Sequence, residues 1–499
     1  MNPKVILANG LWLGSSLPAA RRFHVALAEP EKAQTRWLRA CCQANANAAF
    51  SRAHGIGDCR SYAEFADKVP VTEWTDYEPW IDRMRDGEAN TLCSAPITHL
   101  APTSGSSGAR KLIPFSRPLH RSFAVAVGAW MLDLVRQRPS LLQGSSYWSV
   151  SPLIAQPQER SAVRIGFADD ADYLGRIGAW LTRQSMVASS SLRHIKDPDA
   201  FWFQTALAIL ARADLALISI WHPSFLQLLI EAIQANWDAL LSAIHSGSPS
   251  RARALSKSNP QDPDTWWPRL EVISCWGEQA ANPGILSLRM LFPRSLVQAK
   301  GLLATEAVVT FPWRGSYPLA VNSHFFEFID ETGRIVRAHE LSPGRQYEIL
   351  LTNGGGLWRY RLQDLVECSG WMRSTPCLRF LGRIGRVSDL RGEKLSECFV
   401  AEALRSLYPE SGTLCWLQAE LSPPRYALHS EDTSRENLCQ LLDEALGQNP
   451  HYRYARQLGQ LKAPIVVPVE KGSEARRIAV SRQGVGNAKP RVLVLSSEV

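Results

Sequence analysis

Thr103-Ser104-Gly105-Ser106-Ser107-Gly108, with Lys111 just beyond, gathers four hydroxyls, two glycines and one mobile cation into a single short stretch. Glycines let the backbone turn tightly and bring N–H groups close to a ligand. Successive N–H groups form a nest for an anion. Hydroxyl and ammonium donors complete the equipment of a loop that holds a polyphosphate. The stretch is not the P-loop of nucleoside triphosphatases, which needs Gly-Lys followed by Ser or Thr. Here Ala109 and Arg110 follow Gly108, and Leu112 follows Lys111. Taken alone, it reads equally as a Ser/Gly-rich surface loop.

Three further islands stand downstream: Ala304-Thr305-Glu306, Tyr360-Arg361-Leu362-Gln363-Asp364, and Gly382-Arg383 with Gly392-Glu393-Lys394. A lone Asp after a strand is ordinarily a turn residue, and a lone Thr-Glu pair is ordinarily surface. Their order and spacing together are more specific than any one of them.

The elements that must position these islands follow from periodicity. The first 90 residues read as helical, with apolar spacing from Ala33 to Ala53 and again at Trp74, Tyr77 and Trp80. Pro118 suits the start of a helix running to Gln137, with Phe123, Val127, Trp130 and Leu134 on one face. Asp197-Pro198 is a helix start. Leu215–Ile220 and Leu270–Ser274 are apolar runs of strand length, and one long helix is expected from Phe225 to His245. Alternating helices and short buried strands predict an α/β domain with a largely parallel sheet. Ligands in such sheets sit beyond the carboxyl ends of strands, where Cys275-Trp276-Gly277-Glu278 falls. Phe325 to Val336 reads as a hairpin around Glu331-Thr332-Gly333. Tyr347–Thr352 and Trp358–Leu362 read as strands joined through Gly354-Gly355-Gly356. Past the glycine- and charge-rich stretch from Arg379 to Glu397, helices near 393–407 and 434–447 alternate with strands near 413–419, 425–428, 464–469 and 478–481. The predicted division is a large domain over 1–382 and a small α+β domain over 383–499.

These islands resemble the three nucleotide motifs of the adenylate-forming superfamily. They are most similar to those of the acyl acid–amido synthetases first known as auxin-responsive (Gretchen Hagen) proteins. The first motif, SSGTSxGxxK, is matched by Thr103 to Gly108 with Lys111. The second, ending Ala-Thr-Glu or Ser-Ser-Glu, is matched by Ala304-Thr305-Glu306. The third, YRxGD, is matched by Tyr360 to Asp364. The likeness runs from about Phe50 to the C-terminus and includes Val69-Pro70-Val71 and the stretch around Arg383. It implies a two-step activity: a carboxylic acid and ATP give an acyl-adenylate, and an amine, usually of an amino acid, then displaces AMP.

By this resemblance, Thr103, Ser104, Gly105, Ser106, Ser107, Gly108 and Lys111 hold the β/γ-phosphates. Thr305 contacts the α-phosphate, and Glu306 holds Mg²⁺, a hard ion suited to carboxylate and phosphate oxygens. Asp364 accepts from the ribose hydroxyls with Arg383 nearby, and Trp276-Gly277 flank adenine. Lys489, the family's late lysine, reaches the phosphate during adenylation; a surface lysine beside Pro490 is the alternative. Catalysis therefore falls to Lys111, Glu306 and Lys489. Walls for the acyl group are sought at Phe123, Val127, Ser151 and Trp221. Two positions depart from the pattern. Gln363 stands where the family has Gly, and Leu302 where it often has a Tyr that stacks on adenine. The small domain is expected to rotate between half-reactions about Gly385 to Gly392. An acyl-CoA synthetase and a catalytically silent nucleotide-binding scaffold are the alternative readings.

Composition bounds the rest. An apolar share of 45% and a charged share of 20% over 499 residues describe an ordinary globular chain. Seventeen tryptophans suggest large buried cores or an aromatic-lined pocket. The net charge of +8 has no basic block behind it. Arg251, Arg253 and Lys257 form the densest group and read as a solvated loop, so no nucleic-acid partner is expected. Ten cysteines without a CxxC pair or zinc spacing suggest reduced thiols and a cytoplasmic setting. No signal pattern opens the chain, and no apolar run reaches the length of about 20 that spans a bilayer. The expected partners are a small carboxylic acid and an amine or amino acid, with ATP and Mg²⁺, on a monomer away from membranes.

Overall fold

The structure, a computed structural model, describes residues 2–102, 111–149, 161–166, 184–187, 192, 195, 197–221, 223–277, 282–384, 387–391, 393, 395–409, 413–457, 459–470, 473 and 492–494. The chain forms two compact units. One comprises Met1–Ser145, Ala155–Met186 and Lys300–Phe380; the other comprises Ser146–Ile154, Val187–Ala299 and Leu381–Val499. In chain order, α1 (Pro3–Ala26), α2 (Pro30–Ala44) and α3 (Trp74–Arg85) lead to β1 (Ile97–Pro102), β2 (Leu112–Ser116) and α4 (Arg117–Gln137). Then come β3 (Ser145–Trp148), α5 (Pro198–Leu210), β4 (Leu215–Ser219), α6 (Pro223–Ala235), α7 (Trp237–Gly247), β5 (Val272–Cys275), α8 (Asn282–Leu291) and β6 (Leu296–Ala299). The strands β7 (Phe325–Asp330), β8 (Ile335–Arg337), β9 (Gln346–Thr352), β10 (Tyr360–Met372) and β11 (Thr375–Arg383) follow.

In the first unit, β7 to β11 form one sheet in the order β11-β10-β9-β7-β8. The expected hairpin is β7–β8, with Gly333 at φ +83° in its turn. β9 and β10 pair antiparallel, Tyr360 opposite Leu351 and Arg361 opposite Leu350, before the register shifts ahead of Leu365. That shift is a β-bulge, and its left-handed residue is Gln363, at φ +62°. The family's glycine at this position therefore has a backbone reason: an L side chain is strained there. Gln363→Gly is expected to raise stability by about 0.5–1 kcal/mol. Chemical denaturation checks this, and a lower midpoint would contradict it. α4 begins as predicted: Ser116 Oγ accepts from Leu119 N at 3.3 Å, and proline lies in its first turn.

Among the described residues, the second unit holds two large cores and a small cluster of Trp416, Val469 and Val494. The first is built on the sheet β3-β4-β5-β6, with β4/β5 and β5/β6 parallel and helices packed over it. The predicted buried parallel sheet is thus present. The single helix expected from Phe225 to His245 is instead α6 and α7. Asn236 breaks the run, its backbone leaving the helical region and its Nδ2 bonding Ala232 O at 2.9 Å. The basic stretch near Arg251 is also corrected, since Pro249–Leu255 is helical. Arg251 is buried and donates to Leu210 O and Trp266 O, both at 2.8 Å, closing the carbonyl end of α5. Arg253 and Lys257 remain exposed.

The second core is the small α+β assembly. β12 (Val387–Ser388) and β13 (Leu395–Ser396) pair ahead of α9 (Glu397–Leu407). β14 (Cys415–Leu421), β15 (Pro424–Ser430), α10 (Leu438–Leu446), α11 (Pro450–Gln457), β16 (Ile465–Pro468) and β17 (Leu493–Val494) complete it, the sheet running β16-β15-β14-β17. α11 was not foreseen, and the strand expected near 478–481 lies outside the described residues. Among the described residues no helix is long and apolar enough to cross a membrane. Nine cysteines are free among the described residues.

Candidate active site

β1 and β2 are the two arms of a hairpin, with Pro102 opposite Leu112. The Ser/Gly stretch lies in sequence between these arms, whose facing ends Pro102 and Leu112 are side by side. Thr103, Ser104, Gly105, Ser106, Ser107 and Gly108 themselves lie outside the described residues. Lys111 is described, and its Nζ donates to Tyr360 OH at 3.0 Å and lies 5.7 Å from that ring's centroid. The first and third islands therefore touch. Tyr360 is 1% exposed. The Val69-Pro70-Val71 stretch leads to Thr72, which brackets it: Thr72 N donates to Arg359 O at 3.1 Å, and Arg361 N donates to Thr72 O at 2.9 Å.

Thr305 and Glu306 occupy the tip of a tight turn. Ala304 and Ala307 exchange backbone hydrogen bonds at 2.9 and 3.3 Å, and Leu303 bridges Val308. Leu302 is buried beside them, its N–H held by Thr310 Oγ1 at 2.8 Å. Glu306 is 4% exposed, and its carboxylate has no hydrogen-bond or ion-pair partner among the described residues. A carboxylate without a protein partner on a mostly buried residue suits a hard cation. Among the described residues no group of three acidic, His or Cys side chains gathers around it. A metal would therefore draw its remaining ligands from phosphate and water, as Mg²⁺ commonly does.

Asn353, which the sequence reading missed, ties the second island to the others. Its Nδ2 donates to Glu306 O at 2.8 Å, and its Oδ1 accepts from Gly355 N and Leu357 N at 2.9 and 3.1 Å. Ser116 Oγ, at the end of β2, donates to Gly354 O at 2.6 Å. A Cβ on Gly355 would lie 2.4 Å from Pro114 O, so only glycine lets this turn approach β2. The expected turn at Gly354-Gly355-Gly356 is thus where the Glu306 turn, the end of β2 and the start of β10 are tied together.

Asp364 is 6% exposed on β10, directly after the bulge at Gln363. Two acidic residues anchor the strand around it. Arg361 pairs with Glu348, Nε to Oε1 at 2.9 Å. Arg359, left-handed at φ +46°, makes a buried pair with Glu327, Nη2 to Oε1 at 2.9 Å. Arg359 Nη1 also donates to Ala66 O and Val69 O at 2.8 Å, and Tyr62 OH donates to Glu327 Oε1 at 2.9 Å.

Phe123 and Val127 are half-buried on α4. The Phe123 ring lies 5.8 Å from Phe115 and 6.3 Å from His324. His324 was not foreseen. It is fully buried, and its Nε2 accepts from Val308 N at 3.2 Å, just beyond the Glu306 turn. The proton is thereby assigned to Nδ1. Burial pushes its pKa down to about 3 from the ordinary 6.5. The unfolded chain takes up this proton below about 6.5, whereas the folded chain does not. Stability is therefore complete above that pH and falls by up to about 1.4 kcal/mol per unit as acid is added toward 3. His324→Gln should flatten the decline of the melting temperature between pH 7 and 5; an unchanged slope would contradict the assignment.

In the second unit, Trp221 and Trp276 both follow the carboxyl ends of parallel strands, β4 and β5, and Trp276 N donates to Trp221 O at 2.8 Å. The structure thus brings together an expected acyl-wall residue and an expected adenine-flanking residue. A Cβ on Gly277 would lie 2.5 Å from Ala299 Cβ, so Gly277 allows the chain to hug β6. Arg383 ends β11 and is half-buried. Ser151 and Lys489 lie outside the described residues.

Solved ligases share this architecture. A solved GH3.15 acyl acid amido synthetase in complex with 2,4-DB superimposes with a TM-score of 0.81 at 18% identity, over 97% of this chain and 95% of that one. A 2-hydroxyisobutyryl-CoA ligase in the postadenylation state gives 0.55 at 14% identity, over 94% and 90%. Both likenesses are of fold. Family models match along the sequence: the GH3 family N-terminal domain over residues 19–297, the central domain over 317–383 and the C-terminal domain over 402–498. The chain belongs to the GH3 family. Its relatives include an indole-3-acetic acid-amido synthetase of Oryza sativa subsp. indica, 24% identical over 74% of this chain and 69% of that one. Another, of Arabidopsis thaliana, is 22% identical over 83% and 86%. A jasmonoyl–L-amino acid synthetase of Nicotiana attenuata is 23% identical over 75% and 73%.

Proposed function

We propose that this protein is an AMP-forming ligase that adenylates a small carboxylic acid and passes the acyl group to the amine of an amino acid. The carrying observation is the Lys111–Tyr360 hydrogen bond, which joins the phosphate-loop end to the strand bearing Asp364. A carboxylate is a poor acyl donor because oxide is a poor leaving group. In the first step its oxygen bonds to the α-phosphorus of ATP and pyrophosphate departs. In the second, the amine nitrogen bonds to the acyl carbon, AMP departs with the bonding pair, and the nitrogen loses a proton.

Thr103 to Gly108 and Lys111 hold the departing pyrophosphate, and Thr305 holds the α-phosphate. Glu306 is the protein ligand for Mg²⁺, which when bound neutralises phosphate charge. Asp364 orients the ribose with Arg383, and Trp276 and Gly277 flank the base. Lys489 adds charge at the α-phosphate. Phe123, Val127, Ser151 and Trp221 enclose the acid. The assignment divides the chain into a nucleotide- and acid-binding part over 1–382 and a smaller mobile part over 383–499; the separate central and C-terminal family domains support it. A monomer in the cytoplasm completes the reading.

Purified protein with Mg²⁺ and a panel of aryl and alkyl acids should exchange labelled pyrophosphate into ATP. Silence across a broad panel, with ATP binding also absent, would overturn the proposal.

A further inference from the structure

We propose that Tyr360 is a positioning residue for Lys111, holding its ammonium group beside the third motif before nucleotide arrives. This rests on the reading of Lys111 as a holder of the leaving pyrophosphate. Lysine carries its charge on a flexible four-carbon stem, and ordering that stem costs rotamer entropy. An acceptor that already fixes the ammonium reduces the cost left for nucleotide binding.

Tyr360 is built as such an acceptor. Its backbone is clamped on both sides by Thr72, through Arg359 O and Arg361 N. Its ring meets the edge of Tyr77 at 5.9 Å and 76°. Tyr77 is itself immobile: fully buried, its hydroxyl lies 3.0 Å from Thr72 Oγ1, donates to Trp358 O at 2.9 Å and accepts from Trp358 N at 2.7 Å. Arg359, the residue before Tyr360, is locked by Glu327 and two carbonyls. The tyrosine hydroxyl is thus a fixed point and the lysine is the mobile partner. The same strand carries Asp364, so one rigid segment sets both the cation and the carboxylate.

A double-mutant cycle tests this, read by calorimetry with ATP alone and by pyrophosphate exchange. Tyr360→Phe keeps the ring and removes the hydroxyl. It should weaken ATP binding and slow exchange about tenfold, the size of one hydrogen bond to a charged group. Amide formation from supplied acyl-adenylate should stay within about twofold of wild type, since that step needs no pyrophosphate. Tyr360→Phe combined with Lys111→Ala should be no worse than Lys111→Ala alone. Full additivity, or ATP binding by Tyr360→Phe equal to wild type, would overturn the proposal. Coupled losses in ATP binding without exchange on any acid would leave the positioning role standing and sink the ligase reading. Exchange that ignores Tyr360→Phe would do the reverse.

Discussion

Lys111→Ala is expected to lower acid-dependent ATP–pyrophosphate exchange by about 10²–10³-fold, the usual effect of losing one charge-stabilising donor. Amide formation from supplied acyl-adenylate should fall by no more than about threefold, because pyrophosphate has already left in that step. The asymmetry follows from where Lys111 sits. It ends the stretch that lies in sequence between β1 and β2, and it is held against Tyr360 on the strand of Asp364. Chemistry at the α-phosphate lies away from a loop that grips the leaving group. Equal losses in both half-reactions would remove Lys111 from the pyrophosphate end of the site.

Glu327→Ala is expected to cost about 3–5 kcal/mol of stability, because it leaves the Arg359 guanidinium buried without its counter-charge. That is a large share of the total for most domains. The pair is deep, Arg359 and Glu327 side chains being 6% and 1% exposed, and Tyr62 loses its acceptor in the same substitution. Since Arg359 directly precedes Tyr360, ATP affinity should fall as well. Chemical denaturation measures the first effect and calorimetry the second. A loss below about 1 kcal/mol would show that water or another group replaces the carboxylate.

Local signals were readable from the sequence; convergence was not. α4 announces itself by Pro118 and apolar spacing, and the β7–β8 hairpin by Gly333. The parallel strands β4 and β5 announce themselves by short apolar runs between helices. The four islands were found by residue type and order, and two of them were seen to meet only when Lys111 reached Tyr360 across the fold. Asn353 gave no signal, since a single Asn before three glycines reads as a turn residue. Its bonds to Glu306 O and the glycine turn depend on chain brought together from distant positions. The Glu327–Arg359 pair and the burial of His324 were hidden for the same reason. Asn236 shows the opposite error: apolar periodicity continued across it, but its side chain bonds back to Ala232 and the helix ends there. At Gln363 the family's glycine was the clue, and the left-handed backbone explains it.

The most direct test is mass spectrometry of products formed from ATP, Mg²⁺, mixed small carboxylic acids and mixed amino acids, with coenzyme A present in a parallel reaction. The account predicts an N-acyl amino acid formed with one AMP and one pyrophosphate per amide, whether or not coenzyme A is present. Acyl-CoA without any amide, or ATP bound and recovered intact with every acid, would contradict it.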